Sequence, residues 1–158
     1  MASPLSVRIR DAVPAIRDAY YKLILAVGPV GSGKTAAFSK LVEKHGWSRL
    51  NVNLRLSERL LDLTQKQRAV RIPTILHETV SAEASEVVLL DNIEMLFAEP
   101  LAQDPLRLLQ SLARNQIIVA AWPGTMDRAC LTYAEPGHPE ARRYSDPQAL
   151  IIHVGGDA

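Results

Sequence analysis

Apolar positions along this chain fall into an alternation of short unbroken runs and longer stretches with helical spacing. Leu5, Ile9, Val13 and Ile16 predict a leading helix between Leu5 and Tyr20, with Pro14 inside it. Lys22 to Val27 closes on the run Leu23-Ile24-Leu25-Ala26-Val27 and stops at Gly28, the pattern of a parallel strand buried on both faces. Phe38, Leu41 and Val42 give helical spacing from Lys34 to His45, and Gly46 stands where a C-cap belongs. Leu50 to Leu54 alternates apolar residues with Asn51 and Asn53, which predicts a second strand. Ser57 to Ala69 has helical spacing, Pro73 reads as an interruption, and Thr74 to Ala84 reads as another helix. Val87-Val88-Leu89-Leu90-Asp91 is a third strand and Asp104 to Arg114 a helix carrying Leu106, Leu108, Leu109 and Leu112. Ile117 to Trp122 is a fourth strand ended by Pro123-Gly124, and Leu150 to Val154 a fifth.

One segment breaks the alternation. Thr125 to Pro147 carries Pro136, Gly137, Pro139 and Pro147 among charges where a connecting helix is expected. Leu131-Thr132-Tyr133 and Arg142-Arg143-Tyr144, flanking Glu135-Pro136-Gly137-His138, can pair as a β-hairpin. The tail Gly155 to Ala158 reads as frayed. Strands alternating with helices imply an α/β three-layer sandwich of about five mostly parallel strands, with ligands at the carboxyl ends of the strands. We expect one domain over residues 1–158, its core at about 21–154 and an irregular insertion at 125–147.

Composition adds exclusions. With 47% hydrophobic and 22% charged residues, neither a disordered nor a fibrous class fits. Eighteen Lys and Arg against 17 Asp and Glu leave a net charge of +1, so bulk electrostatics does not support direct DNA binding. Cys130 is the single cysteine, which leaves no intrachain disulfide and no Cys-rich zinc site. Met1 to Asp18 lacks the apolar stretch of a signal peptide and no later apolar run is long enough to span a membrane, so the chain reads as cytoplasmic. The histidines His45, His77, His138 and His153 have no metal-ligand spacing, and Trp122 reads as packing at a strand end.

Gly28-Pro29-Val30-Gly31-Ser32-Gly33-Lys34-Thr35 completes the pattern G-x-x-x-x-G-K-[ST] between a predicted strand and a predicted helix, the phosphate-cradling P-loop, or Walker A motif. Glycines allow the backbone to turn its N–H groups onto phosphate oxygens, and the helix N-terminus adds its dipole. Lys34 is expected to reach the β- and γ-phosphates and the Thr35 hydroxyl to ligate Mg²⁺. Asp91, closing four aliphatic residues, is placed as the Walker B carboxylate on that metal. For positioning the attacking water the candidate is Glu94, since Asn92 stands directly after Asp91; a solvent-facing first-turn residue is the other reading of Glu94. Asn51, Asn53 and Thr125 are further polar candidates near the γ-phosphate, or structural residues. Arg114, Arg142 and Arg143 are candidates for a cation supplied to a neighbouring subunit, or ordinary surface or carbonyl-capping charges.

The P-loop, the Asp91 strand and the element order resemble the additional-strand, AAA-like division of P-loop ATPases. The likeness extends through Leu89-Leu90-Asp91-Asn92-Ile93-Glu94, Gln103-Asp104-Pro105-Leu106-Arg107-Leu108-Leu109-Gln110, Ala121-Trp122-Pro123-Gly124 and Leu131-Thr132-Tyr133-Ala134-Glu135-Pro136-Gly137-His138-Pro139-Glu140. Over roughly Tyr21 to Tyr144 the chain resembles BrxF, the small P-loop family of type III BREX bacteriophage-exclusion systems. The resemblance implies ATP as the nucleotide, and an antiviral-defence role beside other BREX proteins, including a DNA methyltransferase and a larger ATPase. An AAA-like core usually carries a C-terminal helical lid, and too few residues follow the fifth strand to form one, which favours self-association or a partner completing the site. Two other classes stand beside an ATPase: a small-molecule or nucleotide kinase using Arg55, Arg59, Arg68 and Arg71 as lid residues, and a nucleotide-gated scaffold with negligible hydrolysis. A GTPase is disfavoured because Asn-Lys-x-Asp is absent.

Overall fold

A computed structural model describes residues 4–134 and 138–154. Among the described residues five α-helices, α1 (Leu5–Ile16), α2 (Lys34–His45), α3 (Val52–Leu60), α4 (Gln65–Ser81) and α5 (Pro105–Leu112), pack around a five-stranded sheet. That sheet contains β1 (Leu23–Val27), β2 (Ser48–Asn51), β3 (Val87–Asp91), β4 (Ile117–Trp122) and β8 (Leu150–His153). Its order is β2-β3-β4-β1-β8 and every pairing is parallel. A second, antiparallel sheet is formed by β5 (Thr125–Asp127), β6 (Cys130–Tyr133) and β7 (Arg142–Tyr144).

The continuous aliphatic strands split by parity between two cores. Ile24, Ala26, Val87, Leu89, Val119 and Ala121 pack with Ile9, Val13, Phe38 and Leu41 of α1 and α2. Their neighbours Leu23, Leu25, Val88, Leu90, Ile118 and Ala120 pack with Leu56, Ile72, Ile75 and Leu109 of α3, α4 and α5. The inner strands β1, β3 and β4 are buried along their whole length, covered on both faces as a parallel sheet requires. The sandwich and the expected fold class are therefore present, with β4 inserted between β1 and β3.

Two expected boundaries are wrong, and hydrogen bonds explain both. The second strand does not run to Leu54. The Asn51 side chain accepts from the Leu54 N–H at 3.0 Å and N-caps α3, so Val52 and Asn53 are already helical. The next helix does not break at Pro73; the chain breaks earlier, between Leu61 and Thr64, and α4 runs straight through Pro73. Thr64 and Gln67 form a reciprocal capping box (3.2 and 2.9 Å) that starts α4. Proline removes the N–H that would bond the carbonyl four residues back. Here the Ala69 carbonyl accepts instead from Gln103 Nε2 at 2.7 Å, which lets Pro73 stay inside the helix.

The hairpin is present, with Leu131 opposite Tyr144 and Tyr133 opposite Arg142, and β5 extends it to a three-stranded meander. Its connecting residues 135–137, and the tail expected to fray at 155–158, lie outside the described residues. The meander occupies the place of the helix expected between β4 and β8. Among the described residues no helix is long and apolar enough to cross a membrane.

Candidate nucleotide-phosphate site

The loop from Gly28 to Gly33 leaves the carboxyl end of β1 and runs into α2. Gly28 is held by its N–H on the Trp122 carbonyl (3.1 Å), and a Cβ there would stand 2.8 Å from Val154 Cβ. At Gly31 and Gly33 space is open, but φ values of 82° and 102° put both in the left-handed region that a side chain disfavours. Gly33 caps α2 without a side-chain hydrogen bond, so the first-turn N–H groups of Lys34, Thr35 and Ala36 have no capping side chain. They face a cleft of about 160 Å³ whose walls include Gly31, Gly33, Lys34, Thr35, Asp91 and Glu94. Pro29 and Val30 stand exposed at the loop's tip.

Lys34 is only 7% exposed. Its ammonium donates to the Gly28 carbonyl, to the Pro29 carbonyl at 2.9 Å and to Ser32 Oγ at 3.5 Å. Burial lowers its pKa, and the charges of Glu94 and Asp91 oppose that shift. The lysine thus lies folded back onto its own loop.

Strand parity and topology bring the acidic partner across. Thr35, in the first turn of α2, donates its hydroxyl to Asp91 Oδ2 at 2.7 Å, and Asp91 Oδ1 accepts the Asn92 N–H at 2.9 Å. Asp91 is 4% exposed at the carboxyl end of β3. A neutral hydroxyl oxygen and an anionic carboxylate oxygen facing each other beside the P-loop are ligands a hard divalent cation takes, so the residues present fit a Mg²⁺ site.

Glu94 opens the 3-10 turn Glu94–Phe97 on the cleft wall. It does not simply face solvent: Asn53 Nδ2 donates to Glu94 Oε1 at 3.2 Å. Asn53 also accepts the Met95 N–H on Oδ1 (2.8 Å) and donates its own N–H to the Asn92 carbonyl (2.9 Å). Asn92, at φ 53°, makes the left-handed step that turns the chain from Asp91 to Glu94. Sequence reasoning placed Asn53 on a strand, and the three bonds to the 92–95 segment follow only from its place in the first turn of α3.

Other candidates fall elsewhere. Asn51 is spent on the α3 cap, and Thr125 is in the meander, its hydroxyl 2.7 Å from that of Thr132. Arg114 precedes β4 at the amino ends of the strands, stacked 3.9 Å over the Tyr20 ring, far from its own chain's P-loop. Arg142 and Arg143 lie on β7, on the carboxyl side. Trp122 is fully buried between Phe97 and Tyr144, with its Nε1–H on the Thr132 carbonyl (3.0 Å). The Tyr133 ring stacks on Phe97 at 3.8 Å, and burial, with the charges of Glu140 and Glu94, raises its pKa. Arg59 pairs with Glu78 at 2.8 Å and Arg68 Nε donates to the Leu63 carbonyl at 3.0 Å, both fastening α3 to α4 or its lead-in.

A P-loop between β1 and α2, with a carboxylate on β3 beyond an interposed β4, decides the fold. It is a P-loop NTPase fold of the additional-strand type. No protein-family model matches the chain, and no curated protein matches it. Among solved structures it is similar to a DNA replication initiation factor, at 15% identity and TM-score 0.47, over 94% of this chain and 44% of that one. It is also similar to PCH-2 of C. elegans, at 18% identity and TM-score 0.44, over 98% of this chain and 41% of the other. The chain spans less than half the length of either, and the fold assignment rests on the strand order and the loop.

Proposed function

We propose that this chain binds ATP with Mg²⁺ at Gly28–Thr35 and hydrolyses it, its nucleotide state controlling assembly with further copies and with other components of a BREX-type antiphage defence system. The observation that carries the reading is the Thr35–Asp91 contact at the mouth of the P-loop, with Glu94 held beside it by Asn53. The defence role is supported by the sequence resemblance to BrxF alone.

In this reading Lys34 exchanges the Gly28 and Pro29 carbonyls for the β- and γ-phosphate oxygens, and the α2 first-turn N–H groups take the oxygens between. Thr35 and Asp91 hold the Mg²⁺, which when bound neutralises charge on the phosphate chain. Glu94 accepts a hydrogen bond from a water in line with the γ-phosphorus. As that water's oxygen bonds to phosphorus the bond to the β–γ bridging oxygen breaks, giving ADP and phosphate, and the water's proton passes through Glu94 to solvent. Arg142 and Arg143, on β7, are the candidates for a cation supplied to a neighbouring copy's site; Arg114 lies at the opposite end of the strands, on the Tyr20 ring.

The scaffold reading draws on Asn92 directly after Asp91 and on the Glu94 carboxylate already being engaged by Asn53. A kinase lid at Arg55, Arg59, Arg68 and Arg71 is less well supported, because Arg59 and Arg68 are tied within the α3–α4 pair. The deciding experiment is light scattering with phosphate release on the same samples, with and without ATP·Mg²⁺, for wild type and Lys34→Ala. ATP-dependent assembly with turnover, both lost in Lys34→Ala, supports the ATPase; binding with no turnover leaves the scaffold.

A further inference from the structure

The meander β5–β7 has two unlike faces. Its register places Met126, Leu131 and Tyr144 in one cross-strand row and Thr125, Thr132 and Arg143 in the next. The first row turns inward: Leu131 is fully buried and Met126 and Tyr144 pack on the core. Neighbouring rows point to opposite faces, so Thr125, Thr132 and Arg143 turn outward, with Asp127 two residues beyond Thr125 on the same side. That outer face is concave and encloses about 390 Å³. Small-ligand sites begin at roughly 300 Å³. The cleft at the P-loop shares none of its lining residues.

Its chemistry is two-ended. Thr125 and Thr132 hold their hydroxyls 2.7 Å apart, and Arg143 brings a guanidinium to the same face, while Arg142, paired with Tyr133, belongs to the inward row. Asp127 brings a carboxylate, and among the described residues neither it nor Arg143 is in an ion pair. A guanidinium and a carboxylate lining one concavity without pairing each other suit a ligand that is anionic at one end and carries hydroxyl donors at the other. Guanidinium matches phosphate in a bidentate fork, and a carboxylate accepts from sugar hydroxyls.

We propose that this concavity is a second ligand site, distinct from the P-loop, that takes a nucleotide-sized sugar phosphate: Arg143 holds the phosphate, Asp127 accepts from the sugar hydroxyls, and the threonine pair lines the floor. The phosphate arrives either on a free mononucleotide or on an RNA chain.

The test uses the full chain carrying Lys34→Ala, so that triphosphate binding at the P-loop is removed. AMP is titrated by calorimetry, and a fluorescein-labelled oligoadenylate RNA by polarisation. Arg143→Ala and Asp127→Asn are each added to the Lys34→Ala background. Trp122 emission, which reports the meander through the bond to Thr132, checks that every variant keeps its fold. Saturable AMP binding weakened roughly tenfold by either added change supports a free mononucleotide. Binding of the RNA alone, with the same sensitivity to Arg143→Ala, supports a chain-borne phosphate. If neither probe binds, or if binding ignores both changes in folded protein, the site assignment is overturned.

Discussion

Asn53→Ala should slow hydrolysis without weakening nucleotide binding. Among the described residues the Asn53 side chain makes no hydrogen bond to the P-loop; its two bonds go to the Glu94 carboxylate (3.2 Å) and the Met95 N–H (2.8 Å). Removing it frees the turn that carries Glu94. A hydrogen bond to a carboxylate at a half-buried site is worth about 1.5 kcal/mol, which read as lost transition-state positioning is about a tenfold fall in kcat. Glu94→Gln keeps the size and the acceptor for Asn53 but cannot take a proton, and should cost roughly a hundredfold or more. In the double variant the two effects should not add, because Asn53 acts only through Glu94. The assay is single-turnover phosphate release with ATP affinity measured in parallel. If Glu94→Gln hydrolyses like wild type, or if Asn53→Ala slows the double variant as much as the single, the assignment of Glu94 and its positioning residue is wrong.

Three further outcomes follow from hydrogen bonds and packing. Gln103→Ala strips the Ala69 carbonyl of its donor and should lower stability by about 1–2 kcal/mol, a loss that Pro73→Ala partly restores by supplying a helical N–H; denaturant melts of the four-member cycle read it. The Tyr144 hydroxyl, on a half-buried ring and donating to Asp104 Oδ1 at 2.8 Å, has its pKa pushed above the ordinary 10.0 by partial burial and by that carboxylate. A raised folded pKa means its stabilisation is complete below about pH 10 and is lost as pH rises toward the folded value; Tyr144→Phe should remove about 1 kcal/mol at neutral pH and flatten that alkaline limb. Gly124→Ala would put a Cβ 1.9 Å from the Thr132 carbonyl oxygen, so it should cost about 1–3 kcal/mol and shift Trp122 emission, read by thermal melts and fluorescence.

The parts of this molecule that obey a simple period could be read from the chain. Four aliphatic runs gave β1, β3, β4 and β8, and the glycine pattern with Lys34 and Thr35 located the loop before any coordinates. The misreadings share one cause: a side-chain cap overrode the local pattern. Val52 and Leu54 fit a strand's alternation, yet Asn51 caps a helix there. Pro73 is a breaker by propensity, yet its orphaned carbonyl partner is served by Gln103, 34 residues from Ala69 in sequence. Thr64-Gln65-Lys66-Gln67 did carry a visible capping-box signature that locates the true break. Nothing in the sequence could show that Asn53 holds Glu94, because that pairing spans 41 residues and depends on the boundary that the alternation hid.

A meander in place of a helix between β4 and β8 changes what the site can sense. A helix there would present one buried stripe to the sheet. The meander instead delivers Tyr133 onto Phe97, the last residue of the turn that begins with Glu94. It also ties Tyr144 to Asp104, the N-cap of α5, and the Thr132 carbonyl to Trp122, whose own carbonyl holds Gly28 of the P-loop. Three strands that bury only one aromatic face are therefore fastened to the Glu94 turn, to α5 and to the phosphate loop. A partner or ligand on the meander's outer face would act on elements already in contact with the Glu94 turn and the phosphate loop, through packed rings and hydrogen bonds rather than through a hinge. Coupling of this kind requires that the ligand bind differently when the turn moves, so occupancy of the outer face and the rate at Glu94 should change together.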